Sequence, residues 1–306
     1  MSHTDLSQPV AGLDIGSRRF LHAGPLRWLR SFGWAVALFF IFGLAIAAVQ
    51  LWPGMAIKGE GALRALATLG LCVVAYGLYA GIVRLAEGRW PSELALRPAI
   101  AELLIGLLIG AVMLSVVVGL LVGLGLYEVS GPRAASPWGM IIVGISSGFM
   151  EELVLRAIVL RLLMRAFGAW PALVLSAALF GALHLTNPNA SPMAAIAIAV
   201  EAGLMLAAFY MLTGRIWMSV GVHAAWNFAQ GWIWGARVSG IEVKQSLYLS
   251  NPKPGAPDWL SGGDFGPEAS VPAMVVGTLV AVVVLYWAWK KGNFRAAPDA
   301  PKVEAV

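Results

Sequence analysis

Long apolar stretches separated by short polar ones run through most of the chain. A helix needs about 20 mostly apolar residues to cross a bilayer. Eight stretches meet or approach that length: 31–51, 65–83, 103–126, 138–163, 170–186, 192–212, 216–235 and 272–289. The pattern predicts an all-α, polytopic membrane bundle of about eight transmembrane helices. Trp34, Trp52, Trp138, Trp170, Trp217, Trp287 and Trp289 fall near the expected ends, where an interfacial aromatic belt would lie. No internal repeat is evident. One long connection, 236–271, carries NPKPGAP and SGGDFGPE, which are rich in turn residues. It reads as a surface insertion or as a lid or partner-contact element.

Composition supports a lipid solvent. Of 306 residues, 59% are hydrophobic and 12% charged. Soluble domains carry about 25% charged residues. This excludes an ordinary soluble enzyme and a disordered chain. The net charge of +5 has no basic run with interleaved aromatics, so no nucleic-acid partner is expected. Cys72 is the single cysteine, which excludes an intrachain disulfide and a cysteine metal cluster. The polar segment 1–30 lacks the apolar core and cleavage site of a secretory signal. His3 and His22 lie in it and are expected to be solvated.

Charge orients the bundle. With eight spans, the loops on the side of both termini hold fourteen lysines and arginines and the opposite loops six. This places both termini in the cytoplasm and 236–271 outside it. Arg161 and Arg165 are expected to fix that orientation at the cytoplasmic interface.

Against this background a few polar residues stand out. Ionisable groups inside a span cost about 2.5–3.5 kcal/mol each at mid-helix, and their default reading is functional. They fall in four consecutive spans: Glu151, Glu152 and Arg156, then His184, then Glu201, then His223 with Asn227. Glu152 and Arg156 are four apart and can pair. Glu151 is turned about 100° away and has no partner on its own helix. Such a carboxylate has a raised pKa and can act as a base. At 1.5 Å per residue, Glu151, His184, His223 and Asn227 reach similar depths, about 15–25 Å from the cytoplasmic ends. Gly144, Gly148, Gly181, Gly203 and Gly221 would let their helices approach closely. Ser146 and Ser147 lie near Glu151 and read as packing residues. A carboxylate with imidazoles suits activation of water, directly or on a metal, and an asparagine supplies a neutral oxyanion donor. The set reads as acyl hydrolysis, most plausibly of a peptide. It also suits proton-coupled transport, although no repeat symmetry or pair of broken spans supports that.

Three motifs then stand in order: EELVLR at 151–156, FGALH at 180–184 and HAAWN at 223–227. Over about 140–230 the chain resembles the CPBP intramembrane proteases. These include the type II CAAX prenyl endopeptidases and bacteriocin-processing or immunity proteins. Their motifs are E-E-x-x-x-R, F-x-x-x-H and H-x-x-x-N/D. Leu155 and Ala157 stand where members often carry Phe and Gly.

The resemblance implies an intramembrane endopeptidase, glutamic or metallo, acting on a membrane-associated peptide or protein. Glu151 would activate water and His184 would assist or bind a metal. His223 and Asn227 would stabilise the oxyanion, and Glu152 with Arg156 would hold the site. Glu201 lies outside the motifs and is an additional candidate. The cofactor is none or Zn; a metal, if bound, would take Glu151, His184 and His223. A non-proteolytic immunity or scaffold protein on the same fold is the alternative. The expected location is a multi-pass cell membrane, the bacterial inner membrane, with lipid as surroundings. The chain accordingly divides into a tail (1–30), N-terminal helices (31–137), a catalytic core (138–235), an extracytoplasmic loop (236–271) and a last helix with its tail (272–306).

Overall fold

The computed structural model describes residues 13, 15–16, 18–22 and 24–294. His3 and the end of the tail, 295–306, lie outside them. The order is α1 (Arg27–Ala56), α2 (Ala62–Ile82), α3 (Ala99–Gly123), β1 (Tyr127–Ser130), α4 (Trp138–Glu152), α5 (Arg161–Phe167), α6 (Ala169–Leu183), α7 (Pro192–Ile198), α8 (Leu204–Thr213), α9 (Trp217–Phe228), β2 (Leu249–Pro252), the short α10 (Asp258–Ser261) and α11 (Val271–Lys290).

Several helices run on through wider, π-type turns. Val83–Glu87 extends α2, Leu153–Leu160 joins α4 to α5, Ala199–Gly203 joins α7 to α8, and Ala229–Ile233 extends α9. Local chemistry sets the ends. Ser191 and Ser270 accept the N–H of Ala194 and Ala273, with a proline in the first turn of each helix they cap. Gly214 closes α8 at φ 69°, a left-handed conformation that costs glycine nothing.

Six helices are long and apolar enough to cross a membrane: Arg27–Ala56, Ala62–Glu87, Ala99–Gly123, Ala169–Thr186, Pro192–Thr213 and Val271–Lys290. Their outer faces expose Leu44, Leu78, Leu108 and Val282, as a lipid-facing surface would. The other two stretches expected as spans are helical but fall outside this group. The run 138–167 carries five charged residues, and the α9 run is short, ending at Ile233. Both are interior helices, buried by the others.

Glycine makes the interior close. A Cβ on Gly110 would meet the Val222 carbonyl oxygen at 2.2 Å, and one on Gly221 the Leu103 oxygen at 2.4 Å. α3 and α9 therefore touch backbone to backbone. A Cβ on Gly181 would lie 2.2 Å from the Ala195 oxygen, and one on Gly203 2.9 Å from the Ala177 Cα.

Two expectations are corrected. Arg161 and Arg165 are fully buried within the protein instead of lying on its surface. Arg161 donates to both oxygens of Glu87, at 2.9 and 2.8 Å, and to the Ala157 carbonyl at 2.7 Å. Arg165 donates to the Leu21 carbonyl. Arg89 joins Glu87 to Glu93, and the Tyr79 hydroxyl donates to Glu93. These charges are withheld from water but each has partners, which is the condition for burying them. Trp34 and Trp217 also leave the expected belt. Their indole N–H groups donate to Glu87 and to the Ala95 carbonyl, at 3.0 and 2.9 Å.

The connection 236–271 is not a loose insertion. β2 pairs antiparallel with β1, from Tyr127 opposite Pro252 to Ser130 opposite Leu249. Val238 and Ile241 bridge a tight turn whose central residues, Ser239 and Gly240, have φ of 48° and 81°. Positive φ at both is the signature of a primed hairpin turn. A Cβ on Gly240 would lie 1.7 Å from the Pro188 oxygen, so the turn is pressed against the segment that follows His184.

Candidate functional site

The last turn of α4 carries Glu151 and Glu152 on different faces. Glu152 is fully buried and spans two neighbours: one oxygen accepts the Nδ1–H of His223 at 2.9 Å, and the other lies 3.1 Å from the Arg156 guanidinium. Arg156 sits in the wide turn that follows α4. Its guanidinium lies 4.7 Å from the centre of the Phe180 ring and reaches toward the Ala202 carbonyl. The pairing expected from four-residue spacing is therefore observed, with His223 as a third member.

Holding Nδ1 aims the other nitrogen of His223. Its Nε2 lies 3.9 Å from Glu151 Oε2. The Glu151 side chain is 24% exposed. It is less buried than expected, because it faces a groove instead of a helix. That groove, 330 Å³ in volume, runs between α1 and the end of α6, with Ile46, Gln50, Leu183, His184 and Asn187 in its walls.

His184 lies where α6 tightens into a 3₁₀ turn. Its Nδ1–H donates to the Phe180 carbonyl at 2.8 Å. This fixes the ring and leaves Nε2 as the nitrogen for chemistry. Phe180, one turn earlier, stacks between the imidazoles, with ring centres 4.9 Å from His184 and 6.0 Å from His223. The aromatic of the second motif thus spaces the two histidines.

Asn227 stands one turn beyond His223. Its amide donates to Ser147 Oγ at 2.9 Å, and Ser147 donates in turn to the Val143 carbonyl at 2.8 Å. Ser147 therefore does more than pack: it orients the carboxamide. Ser146 bonds only to its own helix, at Val143.

Behind the histidines lies a second, smaller void of 20 Å³. His184, His223, Asn227 and Glu201 border it, together with Ser239 and Glu268. The last two come from the connection 236–271 and were not expected here. The only hint in the sequence was a carboxylate set in turn residues directly before an apolar helix. Glu268 accepts the N–H of Ser239. Burial pushes its carboxyl above the usual range, against the lowering effects of His184 and the Ser239 N–H.

Among the described residues, no group of three His, Cys, Asp or Glu is arranged to hold a metal ion. Glu151, His184 and His223 do not form the ligand set that a bound zinc would need.

No curated protein and no solved structure matches the chain. A family model does: that of the Rce1-like type II CAAX prenyl endopeptidases, over residues 133–229. The matched segment contains all three motifs and every polar group described above except Gln50, Ser239 and Glu268. Residues 133–229 are thus similar to the Rce1-like type II CAAX prenyl endopeptidases, and the resemblance to the CPBP proteases holds over the segment that carries the site.

Proposed function

We propose that this chain is an intramembrane endopeptidase that hydrolyses a peptide bond of a membrane-associated protein or peptide. One observation carries the reading. Glu151 and His184 share the wall of a groove that is apolar at Phe39 and Ile46 and polar at Gln50 and Asn187. An extended peptide in the groove would bring its carbonyl to both.

In this reading Glu151 accepts a proton from water as the water oxygen adds to the carbonyl carbon. The Nε2 of His184 orients that water. The oxyanion that forms is met by the Nε2–H of His223 in its imidazolium form and by the second amide N–H of Asn227. Glu152 and Arg156 keep His223 turned toward Glu151 and take no part in bond making. The bilayer excludes bulk water from the site, which strengthens each of these interactions. The chain sits as an eight-helix bundle with both termini in the cytoplasm and 236–271 on the far side. The membrane is a cell membrane of the bacterial inner type. On this reading the mechanism is the glutamate-activated one, which is favoured by the lack, among the described residues, of three His, Cys, Asp or Glu side chains arranged to hold a metal ion.

The test uses the full chain in liposomes with an internally quenched peptide ending in a farnesylated C-A-A-X sequence. Membranes carrying wild-type or Glu151→Ala protein are compared in parallel for a substrate terminus that disappears. Loss of cleavage in Glu151→Ala and in His184→Ala is expected. Cleavage by both at the wild-type rate overturns the assignment.

A further inference from the structure

The mechanism above leaves two carboxylates unused, Glu201 and Glu268. Glu201 lies in the wide turn between α7 and α8, and Glu268 directly before α11. They are 1% and 2% exposed and border the same void, across from His184. One oxygen of Glu201 has no hydrogen-bond partner at all. α11 passes over Glu201 at Gly277, where an added Cβ would lie 2.7 Å from the Glu201 Cα. That helix therefore brings backbone against Glu201 and no cation. Among the described residues neither carboxylate is paired with an arginine or lysine. The titratable groups that face the pair are His184, His223 and, beside Glu268, Tyr127 of β1, with Glu151 beyond the histidines.

Two adjacent buried carboxylates cannot both be ionised cheaply without a counter-charge, and sharing a proton removes the conflict. The void between them and the imidazole is 20 Å³. About 10–15 Å³ on this measure holds one water. Of the polar side chains that line the groove and the void, His184 is also the one common to both. It thus stands between the place where the peptide bond would break and the place where a proton would be kept.

We propose, on the peptidase reading above, that Glu201 and Glu268 form a pair that keeps one proton across the void from His184 and supplies it, through a single water and then His184 Nε2, to the leaving amine. The atoms balance. Water gives its oxygen and one hydrogen to the acyl carbon and its other proton to Glu151. The carbon–nitrogen bond breaks as the nitrogen receives the proton from the pair. Glu151 then returns its proton to the pair, which resets the site. Glu201 and Glu268 touch no substrate; they act through His184 and are positioning residues.

The experiment has two arms on the full chain, each variant first checked for its unfolding temperature. In infrared titration of purified protein, a protonated-carboxyl carbonyl band is expected at neutral pH. It should shift in frequency in each of Glu201→Gln and Glu268→Gln, vanish when both are replaced, and stay unchanged in Glu151→Gln. Absence of the band, an unshifted band in either single variant, or its loss in Glu151→Gln overturns the pair. In the liposome assay, each of the two variants is expected to lower kcat about 10²-fold with KM unchanged. Wild-type rates in both, while Glu151→Ala is inactive, overturn the proposal and leave the peptidase reading standing. A wild-type chain that cleaves nothing but shows the band as described overturns the peptidase reading and leaves the shared proton.

Discussion

Glu152 does the most for the site without facing the groove. It holds His223 by one oxygen and neutralises Arg156 with the other. Glu152→Ala leaves a fully buried guanidinium without its partner, and breaking a buried pair in this way costs about 3–5 kcal/mol. Thermal unfolding in detergent should show that loss, and Glu152→Gln, which keeps the bond to His223, should lose less. On the proposed mechanism Asn227 acts in the chemistry instead. Asn227→Ala should lower kcat about 10²–10³-fold with KM unchanged. Ser147→Ala, which removes only what orients the amide, should cost less. Glu93 shows a third kind of residue effect, away from the site. Burial alone would raise its carboxyl, but Arg89 and then Arg161 hold it below the usual 4.5. Such a group adds stability that is full above its unfolded value and is lost as pH falls. Unfolding temperatures should therefore drop as pH is lowered below 4.5. Glu93→Gln should be less stable at neutral pH and should flatten that slope.

At the scale of elements, two features build the site. The first is the wide turn. Arg156, Glu201 and Gln230 lie inside such turns and Glu87 ends one. A π-type turn rotates the residues beyond it relative to a regular helix, and such turns cluster at functional positions. This is why Arg156 and Glu201 point inward from runs whose hydropathy suggests simple spans. The second feature is glycine. α3 meets α9 through Gly106, Gly110 and Gly221, and α9 carries His223 and Asn227. Gly110→Ala and Gly221→Ala should destabilise the chain by about 1–3 kcal/mol, as overpacking does, and reduce cleavage through His223. Gly119 lies on the same helix with nothing within 4 Å of an added Cβ. Gly119→Ala should leave cleavage unchanged and raise stability by up to about 1 kcal/mol. The comparison separates close packing from helix propensity, since both changes favour the helix equally.

For the whole molecule, the decisive contact is between the connection 236–271 and the core. The β1–β2 ribbon anchors it at one end, and the turn at Ser239–Gly240 inserts it behind His184. The Gln230 amide donates to the Arg237 carbonyl at 2.7 Å, and Asn189 donates to the Gly240 carbonyl at 3.2 Å. Gly240→Ala meets both a positive φ and a carbonyl oxygen at 1.7 Å. It should lift the turn and reduce cleavage, while far-ultraviolet circular dichroism keeps the helical signal. Cleavage at the wild-type rate would show that the connection is not part of the active centre. On the opposite end, the buried Glu87, Arg89, Glu93 and Arg161 network ties α2, the loop before α3 and α5 together, and Arg161 and Arg165 reach the backbone at Ile15 and Leu21.

The sequence by itself determined the helices, their order and the residues that carry chemistry. Apolar length dictates helices in lipid, because every backbone group must be satisfied within the segment. Charges that are scarce in such stretches mark themselves, so Glu151, His184, His223 and Asn227 were legible at once, as was the Glu152–Arg156 pair from its spacing. The glycines of those helices were legible as contacts, although not their partners. Tertiary structure alone decided the rest. Arg161 and Arg165 look like interfacial charges until Glu87 and the backbone of the first residues are brought to them. Trp217 looks like a belt residue until the Ala95 carbonyl receives it. Glu268 looks like a loop acid until the fold carries it back 67 positions to Glu201 and 84 to His184, a folding-back that no periodicity encodes. Hydropathy reads the solvent around each residue along the chain. It does not read which distant residues share that solvent, and a site between helices is made of just those pairs.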